Sequence, residues 1–156
     1  MTTSEPSPRK RYLVLCTANR CRSQMAHGWL AHLGAAGVEV FSAGTRPGGV
    51  HPLSVSVMAE AGVDLTDHTS DSLTDYLDQP FDAVITVCGA AHEACPVFPG
   101  AARVIHQPFD DPDDKTGRLT EAELLPTFRR VRDEIEAWAR QFLRGEGVPL
   151  NSEAAD

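Results

Sequence analysis

Eight residues at positions 16–23, Cys-Thr-Ala-Asn-Arg-Cys-Arg-Ser, constrain this chain more than any other stretch. An apolar run at 12–15 precedes them and an amphipathic segment at 24–33 follows. This pattern predicts a buried strand, a short loop and the start of a helix. Successive backbone N–H groups of such a loop point inward at a helix N-terminus, where they bind anions. Residues 16–23 are therefore termed the anion loop.

The anion loop begins with a thiol and ends beside a guanidinium. Helix-start donors and Arg22 lower the pKa of a neighbouring thiol, so Cys16 is predicted to be a thiolate nucleophile. Arg22 can hold two oxygens of a tetrahedral oxyanion. Ser23 is predicted to donate to the Cys16 sulfur, and Asn19 to brace the loop. The predicted oxyanion-binding residues are Thr17, Ala18, Asn19, Arg20, Cys21, Arg22 and Ser23.

Length, net charge and composition limit the kind of protein that this chain can be. The chain has 156 residues, a length that favours one domain with its own core. Its net charge of −8 disfavours nucleic-acid binding, and no apolar run reaches the ~20 residues of a membrane span. Without a secretion signal, the protein is expected in the cytoplasm, where four cysteines do not usually form structural disulfides. We expect a monomer with a disordered lead (1–10), a single catalytic domain (11–144) and a flexible tail (145–156).

Strand and helix patterns alternate along the chain. Strands are predicted over 11–15, 38–42, 82–87 and 103–107, and helices over 24–33, 52–61, 71–77 and 120–143. The alternation predicts a three-layer α/β/α fold around a central four-stranded parallel sheet. Ligands bind beyond the carboxyl ends of such strands. The anion loop, the Cys88 segment and Asp110-Asp111-Pro112 are expected to converge there.

The Cys16-x5-Arg22-Ser23 motif, directly after the first strand, resembles the anion loop of the low-molecular-weight tyrosine phosphatase fold. The wider pattern is similar to the thioredoxin-coupled arsenate reductases of that fold. The residues that carry the resemblance lie at 16–19, 21–26, 42–44, 68–71, 88, 95–96, 109–112 and 130–135. The resemblance covers about residues 11–143 and implies that the chain reduces arsenate in arsenic detoxification. Arg20 departs from the small residue usual in the family, so its role stays open.

The resemblance also implies roles for three further residues, which would act together with Cys16. Asp111 would be the general acid that protonates the leaving oxygen, although an Asp-Pro pair also starts loops by itself. Cys16 would bind arsenic, and Cys88 would then attack Cys16 and form a transient Cys16–Cys88 disulfide. Cys95 would attack Cys88, and thioredoxin would reduce the final Cys88–Cys95 disulfide. The alternatives for Cys88 and Cys95 are unrelated buried thiols or a zinc pair with His92.

Two further expectations concern residues around the loop. Cys21 is predicted to be a packing thiol whose side chain points away from the anion. A polar cluster of Asn19, Ser42, Thr69 and Asp71, with His68, resembles one that binds potassium in some family members. Hydrogen bonding that only supports the loop explains the same cluster equally well. No tightly bound cofactor and no firm metal site are expected.

Three alternatives compete with a thioredoxin-coupled reductase. A low-molecular-weight protein tyrosine phosphatase would hydrolyse phosphate monoesters with the same loop, but such enzymes usually carry aromatic residues after the Asp-Pro. Here Asp113 and Asp114 follow, which disfavours aromatic esters and acidic peptides. A reductase that uses a low-molecular-weight thiol would need fewer cysteines, so Cys95 argues against it. An oxyanion sensor would bind without using Cys88.

Overall fold

An apolar run forms β1 (Lys10–Cys16), in which the side chains from 12 to 15 are fully buried. The structure is a computed structural model that describes residues 9–87, 103–114 and 116–151. β1 pairs in parallel with β2 (Val38–Gly44) on one side and with β3 (Ala83–Thr86) on the other. β4 (Val104–His106) pairs in parallel with β3, which gives the order β2-β1-β3-β4. The predicted four-stranded parallel sheet is confirmed.

The two faces of the sheet are buried against different elements, as the alternation of side chains along β1 requires. Tyr12 and Val14 face a core shared with three helices: α1 (Arg22–Gly34), α2 (Pro52–Glu60) and α3 (Glu121–Gly145). Leu13 and Leu15 belong to a smaller cluster on the other face, which a 3₁₀ turn at Leu73–Tyr76 helps to cover. The sheet therefore lies between two covering layers, as predicted.

Helix α3 begins and ends at recognisable signals. Thr120 Oγ1 accepts from the Glu123 amide, and the Glu123 carboxylate accepts from the Thr120 amide, which completes a capping box. At the other end, Gly147 has a φ of 79° and its amide donates to Arg144 O. The Val148 amide donates to Leu143 O, the pairing of a Schellman motif. Both ends therefore satisfy backbone groups that a helix leaves unpaired.

The carboxyl edge of the sheet gathers the segments that carry the predicted chemistry. The anion loop follows β1, and residues 107–114 follow β4. The strand order places β1 between β2 and β3, so the chain leaves β1 at the topological switch where α/β proteins bind ligands. The predicted meeting of the anion loop with Asp111 is confirmed by their contacts described below. Cys88 and Cys95, predicted to join them, lie outside the described residues.

Two predicted elements differ from the structure. The helix predicted over 71–77 is a single 3₁₀ turn, because only four residues adopt helical geometry there. The flexible tail predicted from residue 145 is wrong for its first part. Val148 and Leu150 are each only 6% exposed and join the main core, because the Schellman turn directs the chain back onto the sheet.

No helix in the part of the chain that the structure describes is able to cross a membrane. None of its helices combines the length and the apolar character that a bilayer span requires. The longest, α3, buries one apolar stripe and exposes the charged residues on its other faces.

Replacing Leu150 with alanine is expected to lower the free energy of unfolding by about 2 kcal/mol or more, because truncating a buried leucine leaves a cavity. Urea unfolding followed by circular dichroism measures the change. Asn151→Ala is the control, since Asn151 is exposed. Equal stability of the two variants would mean that Leu150 contributes nothing to the core.

Candidate active site

The segment that follows β2 runs alongside the anion loop and holds three of its carbonyl groups. Backbone amides at residues 46, 48 and 51 donate to these carbonyls at 2.9, 3.0 and 3.1 Å. The donor–acceptor pairs are Arg46 N with Thr17 O, Gly48 N with Ala18 O, and His51 N with Arg20 O. Each of these carbonyls therefore points outward, away from the centre of the loop.

The fourth carbonyl is held from another direction. Asn19 O accepts from Gln24 Nε2 at 3.1 Å and from Ser70 Oγ at 3.0 Å, and Ser70 Oγ also lies 3.1 Å from Ala18 O. In a trans peptide the C=O and the following N–H point in opposite directions. Carbonyls held outward from 17 to 20 therefore leave the N–H groups of 18 to 21 directed inward, which is the arrangement that binds an anion.

Asn19 occupies the tightest point of the loop. Its φ of 51° lies in the left-handed region, which asparagine tolerates better than most residues. Its side chain is fully buried, and Asn19 Oδ1 accepts from Ser23 Oγ at 2.7 Å. The side chain thus braces the loop against the first turn of α1, as predicted. In this structure the Ser23 hydroxyl donates its proton to Asn19. The predicted donation from Ser23 to the Cys16 sulfur therefore stays a prediction.

A pocket of about 220 Å³ opens where the anion loop meets the loop after β4. Cys16 lines this pocket and is 4% exposed, so its sulfur is sheltered from bulk water. Thr17 also lines it, and Thr17 Oγ1 is buried without a hydrogen-bond partner among the described residues. A buried hydroxyl in that state is costly.

Arg22 and Asp111 face one another across this pocket. Arg22 is 4% exposed, and its Nη1 donates to the carbonyl of Phe109 at 3.3 Å. Its Nη2 lies 3.5 Å from Asp111 Oδ2. Asp111 keeps a quarter of its side chain exposed, so it can exchange a proton with solvent. The arrangement combines a cation that can hold an oxyanion with a carboxyl that can deliver a proton to it.

The second cysteine of the loop has a different environment from the first. Cys21 packs in the main core and is 4% exposed. Burial raises the pKa of the Cys21 thiol to about 12, even though a hydrogen bond with Ser54 opposes the shift. Cys21 therefore stays a protonated thiol near neutral pH. Because Cys21 also lines the pocket, its predicted packing role, with a side chain directed away from the anion, stays a prediction.

Asp71, a member of the cluster compared with a potassium site, already has donors for both carboxylate oxygens. Asp71 Oδ1 accepts from Thr69 Oγ1 at 2.7 Å, and Oδ2 accepts from the Tyr76 hydroxyl at 2.9 Å. Asn19 Oδ1 is likewise occupied by Ser23. Hydrogen bonds within the protein thus engage oxygens that a cation would need.

The remaining member of that cluster, Ser42, pairs with an imidazole. Ser42 Oγ lies 2.8 Å from His27 Nδ1, and the His27 ring packs 4.2 Å from the His68 ring. Burial, followed by the charge of His68, lowers the pKa of His27 to about 3, so this ring is neutral. Hydrogen bonds already engage the oxygens of this cluster, and they account for it as support of the loop. Potassium binding at this cluster stays a prediction.

A second acidic residue, Asp113, lines the pocket, in keeping with the sequence-based expectation that it disfavours aromatic esters and acidic peptides. Asp113 Oδ2 lies 3.6 Å from Arg20 Nε, and Oδ1 lies 3.3 Å from His51 Nε2. Arg20 also lines the pocket, so it does not simply face solvent. His51 was missed altogether. Its position before Pro52, at a helix start, was the only signal, and histidine is not a common N-cap.

Comparison with known proteins places this geometry in a family. The chain belongs to the low molecular weight phosphotyrosine protein phosphatase family, which it matches over residues 11–153. Within that family it resembles arsenate reductases. The arsenate reductase of Halalkalibacterium halodurans is 43% identical over 134 residues, which cover 86% of this chain and 95% of that protein.

Solved structures show the same resemblance to arsenate reductases. An arsenate reductase in the phosphate binding state superposes with a TM-score of 0.70 at 30% identity, covering 87% of this chain and 98% of that one. A thioredoxin-dependent arsenate reductase from Corynebacterium glutamicum has a TM-score of 0.68 at 29% identity. That match covers 89% of this chain and 62% of the Corynebacterium chain.

Gly44→Ala is expected to weaken phosphate binding by about tenfold or more, since overpacking a tight contact costs ~1–3 kcal/mol. A Cβ at residue 44 would lie 2.5 Å from Thr17 O and 3.1 Å from Asn19 N, so the loop must shift. Calorimetric titration with phosphate measures the change. Gly145→Ala, where a Cβ meets no atom within 4 Å, is the control. Unchanged phosphate affinity in Gly44→Ala would contradict the close fit.

Stability is expected to fall in acid because of His27. Its pKa is about 3 in the folded chain against 6.5 as a free side chain. Below pH 6.5 the unfolded chain therefore binds a proton at the His27 ring, whereas the folded chain binds this proton only near pH 3. The loss is about 2 kcal/mol between pH 7 and pH 5. Urea midpoints at the two pH values measure it, and His27→Asn should have a smaller pH dependence than the parent.

Proposed function

We propose that this protein reduces arsenate to arsenite through a three-cysteine thiol–disulfide relay that thioredoxin regenerates. The observation that carries the proposal is the pocket that joins Cys16, the Arg22 guanidinium and the Asp111 carboxyl, in a chain 43% identical to an arsenate reductase. An arsenate reductase with phosphate bound has the same fold, which supports oxyanion binding at this loop.

In the first step, the Cys16 thiolate attacks arsenic. A sulfur–arsenic bond forms, an arsenic–oxygen bond breaks, and the oxygen leaves as water after Asp111 and solvent supply its protons. The inward N–H groups and Arg22 hold the remaining oxygens, whose negative charge they balance. Arsenic keeps its +5 state in this step, so no electron has yet been transferred.

The reduction follows when the Cys88 thiolate attacks the Cys16 sulfur. The electron pair of the sulfur–arsenic bond moves to arsenic, which leaves as arsenite in the +3 state. The two sulfurs are oxidised together to a Cys16–Cys88 disulfide. Cys95 then attacks Cys88, which frees Cys16 as a thiolate and leaves a Cys88–Cys95 disulfide. Reduced thioredoxin transfers two electrons to this disulfide and completes the cycle.

The choice of thioredoxin rests on the number of cysteines and on one relative. A low-molecular-weight thiol as reductant would not need Cys95. The Corynebacterium glutamicum neighbour is thioredoxin-dependent. A cytoplasmic location, where thioredoxin is kept reduced, is part of the proposal.

Hydrolysis of phosphate monoesters is the second candidate function, because the same family contains phosphatases and the same loop accepts phosphate chemistry. The carboxylate of Asp113 at the pocket argues against aromatic esters and acidic peptides as main substrates, since it repels their charge and offers no ring to stack on. Weak hydrolysis of small phosphate esters is expected as a side activity.

Arsenate turnover with thioredoxin, thioredoxin reductase and NADPH tests the relay. Cys16→Ser and Cys88→Ser are expected to release no arsenite, because each lacks a thiol needed before reduction. Cys95→Ser is expected to release a single arsenite per enzyme and then stop, since its Cys16–Cys88 disulfide has no resolving thiol. Quenched-flow sampling with arsenite quantification separates these outcomes.

Two results would overturn the proposal. Sustained cycling by Cys95→Ser would remove Cys95 from the relay and favour a different reductant. Strong tyrosine-phosphate hydrolysis without arsenate reduction by the parent would move the protein to the phosphatase class. Single-turnover release by Cys95→Ser also shows that this variant is folded, so loss of cycling cannot be attributed to misfolding.

A further inference from the structure

We propose that Asp113 is a positioning residue for the general acid Asp111, and that Arg20 and His51 hold Asp113 in place. The proposal rests on the acid role given to Asp111 above. It assigns a function to Arg20, the residue of the anion loop whose role the sequence left open.

Asp113 is linked directly to the acid. Its backbone amide donates to Asp111 Oδ1 at 3.1 Å, while Asp111 Oδ2 faces Arg22 Nη2 at 3.5 Å. The two oxygens of Asp111 are thus oriented from opposite sides, one by Asp113 and one by Arg22. A shift of Asp113 would rotate or withdraw the carboxyl that must reach the leaving oxygen.

Asp113 is itself tied to the anion loop and to the start of α2. Its Oδ2 lies 3.6 Å from Arg20 Nε, and its Oδ1 lies 3.3 Å from His51 Nε2. Its side chain is 20% exposed, so water screens these contacts only in part. Arg20 with Asp113 and Arg22 with Asp111 therefore form two Arg–Asp pairs that join the same two loops.

His51 presents a defined hydrogen-bond donor to Asp113. Its Nδ1 accepts from the Leu53 amide at 3.0 Å, so that nitrogen carries no proton. The ring proton is consequently on Nε2, the atom that faces Asp113. The ring also packs 4.9 Å from the Phe128 ring, which limits its rotation. His51 can therefore hold Asp113 without being charged.

Arg20 is fixed independently of Asp113. Its Nη1 donates to Gly48 O at 2.6 Å, and a Cβ at residue 48 would lie only 3.0 Å from Arg20 Cδ. Glycine at 48 thus leaves room for the arginine stem against the backbone. A guanidinium anchored in this way is a rigid point for the carboxylate of Asp113 to meet.

Substitution of Asp113 is therefore expected to change oxyanion binding and catalysis in different ways. Removing the charge of Asp113 takes a negative group away from the pocket, so oxyanion affinity should rise or stay equal. Proton delivery by Asp111 should become slower, because displacing a catalytic group by about 1 Å can cost ~100-fold in rate. A purely structural role for Asp113 would weaken binding and catalysis together.

The test uses two aryl phosphates whose leaving groups need the acid to different extents. Phenyl phosphate releases a basic phenolate and depends on protonation, whereas 4-nitrophenyl phosphate depends on it far less. Asp113→Asn is expected to lower kcat/KM, which includes expulsion of the leaving group, about tenfold more for phenyl phosphate than for 4-nitrophenyl phosphate. Its inhibition constant for phosphate should not rise. Arg20→Gln should show the same preference together with weaker phosphate binding.

A double variant identifies the residue through which Asp113 acts. In an Asp111→Asn background, Asp113→Asn is expected to change kcat less than about twofold, because the group it positions is already gone. Asp110→Asn is the matched control. Asp110 lies on the same loop, but its carboxylate is 73% exposed and pairs with Arg130 at 3.1 Å, away from the pocket. It should match the parent on both esters.

Equal slowing of the two esters by Asp113→Asn, or a further large loss in the Asp111→Asn background, would overturn the inference. Its failure is distinct from failure of the proposed function. A parent that hydrolyses esters but does not reduce arsenate contradicts the reductase and leaves the ester comparison intact. If the parent reduces arsenate but not esters, the single-turnover arsenite release rate is compared instead: Asp113→Asn should be slowed, and Asp110→Asn should not.

Discussion

The hydrogen bonds that hold the carbonyl groups of residues 17–20 outward are the interaction on which the site depends. Without them, the loop would be free to turn carbonyl oxygens toward the pocket and repel an oxyanion. Their donors come from the segment at 46–51, from Ser70 and from Gln24, and the fold brings these parts together. Residue 44 lies so close to the anion loop that there is no room for a Cβ, and glycine is the residue that permits this contact. Sheet and connecting segments thus serve to orient a few peptide groups.

Charge in the pocket is balanced locally, against a net charge of −8 over the whole chain. Arg22 and the inward amides favour an oxyanion, while Asp111 and Asp113 lie at the same opening. Each carboxylate faces an arginine of the anion loop, so neither stands as an isolated negative charge. Such pairing lets the site keep an acid next to an anion, which is what expulsion of an oxygen as water requires.

Local patterns in the sequence were sufficient to predict the strands, the anion loop and the start and stop of α3. The spacing of Cys16 and Arg22 and the position of Asp111 after a strand also predicted their meeting. His51 and Gly44 were not assigned roles, because each depends on a contact with a segment distant in sequence. The start of the tail was misjudged because its burial depends on Gly147, which makes the turn that brings Leu150 into the core.

The outward carbonyls have a thermodynamic consequence, because their donors are assembled only when the chain is folded. An unfolded chain has no inward set of amides, so a tetrahedral anion binds the folded state alone. Binding and folding are then linked, and a ligand at 100 times its dissociation constant would add about 2.7 kcal/mol to the free energy of unfolding. The anion loop makes the substrate a contributor to the stability of the protein that converts it.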